Sequence, residues 1–138
     1  MKRLLASVEE LQAAAGEVAR SLSPGSVLAL EGEMGTGKTT FAKALVAALG
    51  YRGEVTSPTF SLVQEYDTPT MPVFHFDFYR LEDECELLDL GWEDYLDQAE
   101  RTGLILVEWP SLFPEALPSE RTRWIRLTYS GTGREMDS

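Results

Sequence analysis

The chain has 138 residues, 43% hydrophobic and 25% charged, a balance that argues against a disordered or fibrous polypeptide and suits one folded domain spanning 1–138. Its 23 acidic residues outnumber 12 basic ones for a formal net charge of -11, which argues against an independent grip on nucleic acid, whose phosphates need a basic footprint. No run approaches the ~18 apolar residues of a membrane span, and the single Cys85 leaves no partner for an intrachain disulfide, which fits a reducing, cytoplasmic setting.

In chain order, "MKRLLASVEE" begins with basic residues, but Glu9 and Glu10 cut its apolar run short, so it is a poor secretory signal. Ser7 and Glu10 have capping-box spacing, and Val8, Leu11, Ala15, Val18 and Leu22 recur at helical intervals, predicting a helix over Val8 to Ser21. "SPG" breaks it, and "SVLALEG" follows as an apolar run of strand length. From Lys38 to Leu49 one apolar stripe predicts a second helix, stopped by Gly50.

"TFSLVQEY" and "PVFHFDFY" are rich in β-branched and aromatic residues, with turn chemistry in "DTPTMP" between them, and predict an antiparallel hairpin. In "RLEDECELLDLGWEDYLDQAE" charges and leucines alternate at helical spacing, and Gly91 splits the segment into two short helices with a solvated acidic face. "GLILVEWP" reads as a buried parallel strand ending in glutamate, "RTRWIRLTY" as a last strand, and "SGTGREMDS" as a tail expected to fray.

Gly32 to Thr39 reads G-E-M-G-T-G-K-T, a full match to the G-x-x-x-x-G-K-[ST] phosphate loop, with a predicted strand before it and a helix after it. That context sets unpaired backbone N–H groups and a helix dipole at an anion site. Glycines let the backbone wrap closely around phosphate. Lys38 can then reach the β- and γ-phosphates, and the Thr39 hydroxyl can ligate Mg²⁺. A phosphate loop also needs a carboxylate near the metal, usually at a neighbouring strand end, and two qualify: Asp77 after "VFHF" and Glu108 after "LILV". His75, the only histidine, alternates with Asp77 and so shares its strand face, a position where histidine more often packs than reacts.

The blocks "GEMGTGKTTF", "VTSPTFSLVQEY", "HFDFYRL" and "VEWP", in this order and in so short a chain, resemble the TsaE (YjeE) family, the ATPase component of bacterial tRNA N6-threonylcarbamoyladenosine biosynthesis. The resemblance implies a three-layer α/β P-loop NTPase-like domain with a mostly parallel sheet and an antiparallel hairpin. Gly32, Gly35, Thr36, Gly37, Lys38, Thr39 and Thr40 carry over as the ATP phosphate cradle, with Thr39 on magnesium. Thr59 in "SPTF" becomes a candidate sensor of the γ-phosphate or its water, and Asp77 and Glu108 become magnesium-site carboxylates. Arg80 carries over only as a guess at an arginine finger, and Trp109 lies next to the site. Glu33-Met34 stand where aspartate-leucine is common and Thr36 where alanine is common, all at variable loop positions.

The resemblance further implies slow ATP hydrolysis by the isolated chain and work with a TsaD and TsaB heterodimer, tRNA being held by those partners. From the sequence, the rivals are a small-molecule or nucleotide kinase, for whose lid and acceptor pocket the short chain leaves little room, and a non-catalytic nucleotide-sensing adaptor.

Overall fold

The computed structural model describes residues 2–33, 35–53 and 63–138. Its strands are β1 (Lys2–Leu5), β2 (Val27–Gly32), β3 (Val63–Tyr66), β4 (Val73–Asp77), β5 (Leu104–Glu108), β6 (Thr122–Ser130) and β7 (Gly133–Asp137), and its helices α1 (Val8–Ser21), α2 (Lys38–Ala48), α3 (Glu84–Asp89) and α4 (Trp92–Thr102). Among the described residues the strands form one mixed sheet in the order β1-β7-β6-β2-β5-β4-β3. The inner strands β6, β2, β5 and β4 are parallel, and antiparallel pairs flank them on both sides.

The alternation of side chains along the central strands divides the core in two. Leu28, Leu30, Leu104, Leu106, Ile125 and Leu127 pack under Leu11, Ala15 and Val18 of α1 and Phe41 and Leu45 of α2. The intervening Val27, Ala29, Ile105 and Val107, with Phe74 and Phe76, pack against Leu87 of α3 and Trp92 and Ala99 of α4. Helices on both faces of one sheet make the three layers that the family resemblance implies.

Local signals act where the sequence places them. Ser7 accepts a hydrogen bond from the Glu10 N–H at 3.2 Å, while the Glu10 carboxylate accepts from Ala6 N–H. Helix α2 ends in a Schellman arrangement, with Gly50 at φ 104° and bonds from Gly50 N–H to Ala47 O and from Tyr51 N–H to Val46 O. Gly91, at φ 91°, separates α3 from α4. Strand β3 pairs antiparallel with β4 as the hairpin reading expects, although Thr59 to Leu62 of that reading lie outside the described residues.

The tail departs from expectation. Residues 133–137 do not fray: β7 pairs with β6 on one side and with β1 on the other, Leu127 facing Met136 and Lys2 facing Asp137. The turn is a two-residue loop, Gly131-Thr132, with Gly131 at φ 60°. Cross-sheet pairing and burial of Met136 and Leu5 hold a strand that its polar composition does not announce.

Candidate functional site

The apolar run of β2 ends at Gly32, and the chain turns at once toward α2. A Cβ at Gly32 would stand 2.7 Å from the Leu127 carbonyl oxygen and 2.7 Å from Thr36 Oγ1, so only glycine fits where the loop leaves the sheet. Thr36 is buried and folds the loop on itself, its hydroxyl donating to Glu33 O at 2.6 Å. Gly37 then takes φ 103° as the N-cap of α2, with no side-chain capping bond. The helix N-terminus is thereby left for an external acceptor.

Arg134 of β7 braces this loop from outside. Its Nη2 donates to Gly35 O at 3.1 Å and its Nε to Thr36 O at 3.2 Å, while the guanidinium stacks 4.5 Å from the Tyr129 ring centre. With the Thr36 carbonyl turned toward Arg134, planarity of the trans peptide directs the Gly37 N–H the opposite way.

Two carboxylates face the start of α2. Asp77 and Glu108 stand in register at the carboxyl ends of the parallel strands β4 and β5, beyond His75 and Leu106 on the α1/α2 face. Glu108 is 4% exposed and its Oε2 lies 2.7 Å from His75 Nε2. Asp77 accepts the Tyr79 N–H at 3.0 Å and lies 4.0 Å from Arg80 Nε. Burial pushes the Asp77 carboxyl above the usual range, and the Glu108 charge adds to this, against the Tyr79 N–H and the Arg80 guanidinium.

Lys38, the first residue of α2, is 6% exposed, and its Nζ has no hydrogen-bond partner among the described residues. It sits 3.5 Å from the centre of the Trp109 ring. Burial lowers its pKa, opposed by the charges of Glu108, Glu31 and Asp77 in that order. Trp109 takes a left-handed φ of 58°, a strain of about 1–2 kcal/mol for a non-glycine residue. The turn that follows is tied back to β2, since Ser111 N–H donates to Glu31 Oε2 at 3.0 Å. Tyr79 packs on the Trp109 ring at 5.0 Å between centres.

Lys38, Thr39, Asp77, Arg80, Glu108 and Trp109 line a cleft of about 450 Å³. A second cavity of about 300 Å³ opens on the other flank of the loop, between Ser7, Leu11, Thr132 and Arg134, and shares Gly35, Gly37 and Thr40 with the first. A cleft with carboxylates and Lys38 in its walls and a cavity walled partly by Leu5, Val8 and Leu11 meet at one helix N-terminus. The fold thus brings together Gly32, Gly35, Thr36, Gly37, Lys38, Thr39, Thr40, Asp77 and Glu108, whereas Thr59 lies outside the described residues. Arg80 borders the cleft and pairs weakly with Asp77, a surface contact contributing little. Sequence reasoning missed Arg134, whose signal was the Gly131-Thr132 hairpin loop that makes "REMD" a strand.

Among the described residues no group of three or more His, Cys, Asp or Glu side chains is arranged to hold a metal. The set present, a hydroxyl at Thr39 with carboxylates at Asp77 and Glu108, fits magnesium that takes its other ligands from phosphate and water.

The sequence model for "Threonylcarbamoyl adenosine biosynthesis protein TsaE" matches residues 5–136. The chain is 46% identical over 113 residues to the tRNA threonylcarbamoyladenosine biosynthesis protein TsaE of Bacillus subtilis, covering 82% of this chain and 68% of that one. It is 35% identical over 115 residues to the protein of the same name from Rickettsia felis (83% and 65%) and 39% over 105 residues to that of Synechocystis (75% and 66%). The matched region thus spans about two thirds of the length of these relatives. The crystal structure of YdiB from Bacillus subtilis superposes with a TM-score of 0.78 at 36% identity, over 99% of this chain and 82% of that one.

Proposed function

The chain belongs to the TsaE family of tRNA threonylcarbamoyladenosine biosynthesis, and from that premise we propose that it is the pathway's nucleotide-driven subunit, binding Mg-ATP at the loop and hydrolysing it slowly. The observation that carries this reading is Lys38: a buried ammonium without a hydrogen-bond partner among the described residues, set at the first turn of a helix that opens on a glycine loop. A charge so placed lacks a counterpart that phosphate oxygens supply.

In this reading the polyphosphate lies along Gly35 to Thr40, its oxygens taken by backbone N–H groups and Lys38. The nucleoside extends into the cavity beside Ser7, Leu11 and Thr132. Thr39, with Glu108 and Asp77, would hold magnesium, which when bound neutralises charge developing on the β- and γ-phosphate oxygens. Lys38 and the loop amides hold the transferring group in place. Water replaces the β–γ bridging oxygen at the γ-phosphorus, giving ADP and inorganic phosphate. The cleft holds no buried general base positioned beyond the two carboxylates among the described residues, which suits a slow reaction completed by a partner.

The partner we propose is the TsaD and TsaB pair, with tRNA reached only through it. The net charge of -11 supports docking on protein and not on RNA. Phosphate release from Mg-ATP, measured for the chain alone and with that pair added, tests the proposal. Marked stimulation supports it; equal, negligible rates with intact ATP binding remove hydrolysis from it.

A further inference from the structure

Glu108 is almost fully buried, and burial of a carboxylate demands donors. One is identifiable and equally buried: His75 Nε2, at 2.7 Å, from a residue 33 positions away in the chain and 1% exposed. A carboxylate only accepts, so Nε2 carries the proton of this bond. On the opposite side of the ring, Nδ1 lies 3.4 Å from Tyr66 Oη, and that hydroxyl donates to Gln64 Oε1 at 2.5 Å. The series Glu108, His75, Tyr66, Gln64 crosses the adjacent strands β5, β4 and β3 on the face that carries α2.

We propose that His75 is a positioning residue for the magnesium-nucleotide site, holding the Glu108 carboxylate in one orientation toward the phosphate loop; this rests on the reading of the cleft given above. The terminal torsion of a glutamate is broad and soft, so an unrestrained carboxylate would sample many orientations at the strand end. Tying Oε2 to a ring that is itself buried and packed against the Tyr66 ring, 6.0 Å between centres, removes that freedom. A structural histidine on this strand would need only apolar neighbours or a backbone acceptor. This one instead spends its Nε2–H on one of the two acids of the cleft. Outer partners of this kind orient metal-ligating carboxylates and typically change metal affinity by about 10–100-fold when removed.

Because His75 is the only histidine, its ring can be followed without ambiguity. In the ¹⁵N-histidine-labelled protein, Nε2 should be protonated and slow to exchange. Its resonance should move on adding Mg²⁺ with a non-hydrolysable ATP analogue and stay nearly still with the analogue in EDTA. In parallel, the analogue is titrated at fixed Mg²⁺ concentrations into wild type, H75F and H75Q. His75→Phe fills the space without a donor and should raise the Mg²⁺ needed for half-maximal tightening by about tenfold or more, with EDTA affinity unchanged. His75→Gln, whose amide can donate, should recover part of this.

A wild-type Mg²⁺ effect retained in full by H75F, or an Nε2 resonance indifferent to Mg²⁺, would overturn the positioning role while leaving the site intact. Absence of any Mg²⁺ effect in the wild type would overturn the cleft reading and the role with it. If H75F does not fold, the wild-type resonance and H75Q still decide the matter.

Discussion

Lys38 Nζ and the Trp109 ring face each other across 3.5 Å, a cation on an aromatic face at the mouth of the glycine loop. The ring shields the ammonium from water but offers it no hydrogen bond, so a polyanion entering the cleft competes against a weak partner. Replacing Lys38 by alanine should therefore leave the fold intact and weaken ATP binding by about 100-fold, the scale of two or so charge-assisted hydrogen bonds. Calorimetric titration reads this directly, and an unchanged affinity would end the phosphate-loop assignment.

The same lysine makes stability depend on pH. Its folded pKa lies below the ordinary 10.5, so the unfolded chain binds this proton more tightly than the folded one. Stability should consequently rise with pH from the depressed value up to about 10.5 and fall as pH drops through the folded value. Lys38→Met carries no such proton. Urea unfolding of both proteins should show the variant's advantage greatest near neutrality and shrinking toward pH 10.5; a constant difference would contradict the burial of this charge.

Asp77 and Glu108 can be told apart. Glu108→Ala should spare much of the Mg²⁺-free nucleotide affinity while flattening its Mg²⁺ dependence. Asp77→Asn should do less, since burial and the neighbouring Glu108 charge push the Asp77 carboxyl toward its neutral form, which holds a cation less well. Isothermal titrations across Mg²⁺ concentrations decide between them, and the reverse order would give the metal to Asp77.

Arg134 tests the brace. Arg134→Leu removes two bonds to the carbonyls of Gly35 and Thr36 in a partly exposed setting, a loss of about 1 kcal/mol. That corresponds to roughly 3–5 °C in Tm. Nucleotide affinity should fall about tenfold as the loop loses its fixed carbonyls. If melting shifts and affinity does not, the arginine supports the edge strands alone.

Gly32→Ala should be the harsher change. The added methyl would meet a backbone carbonyl at 2.7 Å, which cannot swing aside as a side chain can. A loss of about 2 kcal/mol or more is expected from overpacking at such a site, and chemical denaturation would measure it. A stable variant would show that the loop's departure from the sheet yields to a 2.7 Å approach by shifting the backbone.

What could be read from the sequence was written locally. The α1 cap at Ser7, the Gly50 stop and the phosphate loop each lie within a few consecutive residues, and α1 spans Val8–Ser21 in the structure as its spacing predicts. Asp77 and Glu108 were visible as acids closing apolar runs. The arrangement between elements was not visible. Strand β1 is four residues long, and β7 contains glycine, glutamate and aspartate and buries only Met136, so neither shows the apolar alternation that betrays a strand. Arg134 therefore read as part of a loose tail. His75 read as packing because its partner, Glu108, becomes a neighbour only once β4 and β5 are aligned.

The pairing of Lys2 with Asp137 closes a loop of almost the whole chain. Such a closure is entropically expensive to form, and the outermost strands of a sheet are the first to lift from it. Arg134 rides on β7, between the edge strand β1 and β6, so an opening that carries β7 away together with β1 would release the carbonyls of the phosphate loop while the parallel strands stay folded. Thermodynamic linkage makes the relation run both ways. A ligand that tightens on the braced loop would slow amide exchange along β1 and β7, and any protein that clamps those two strands would tighten the ligand by the same factor.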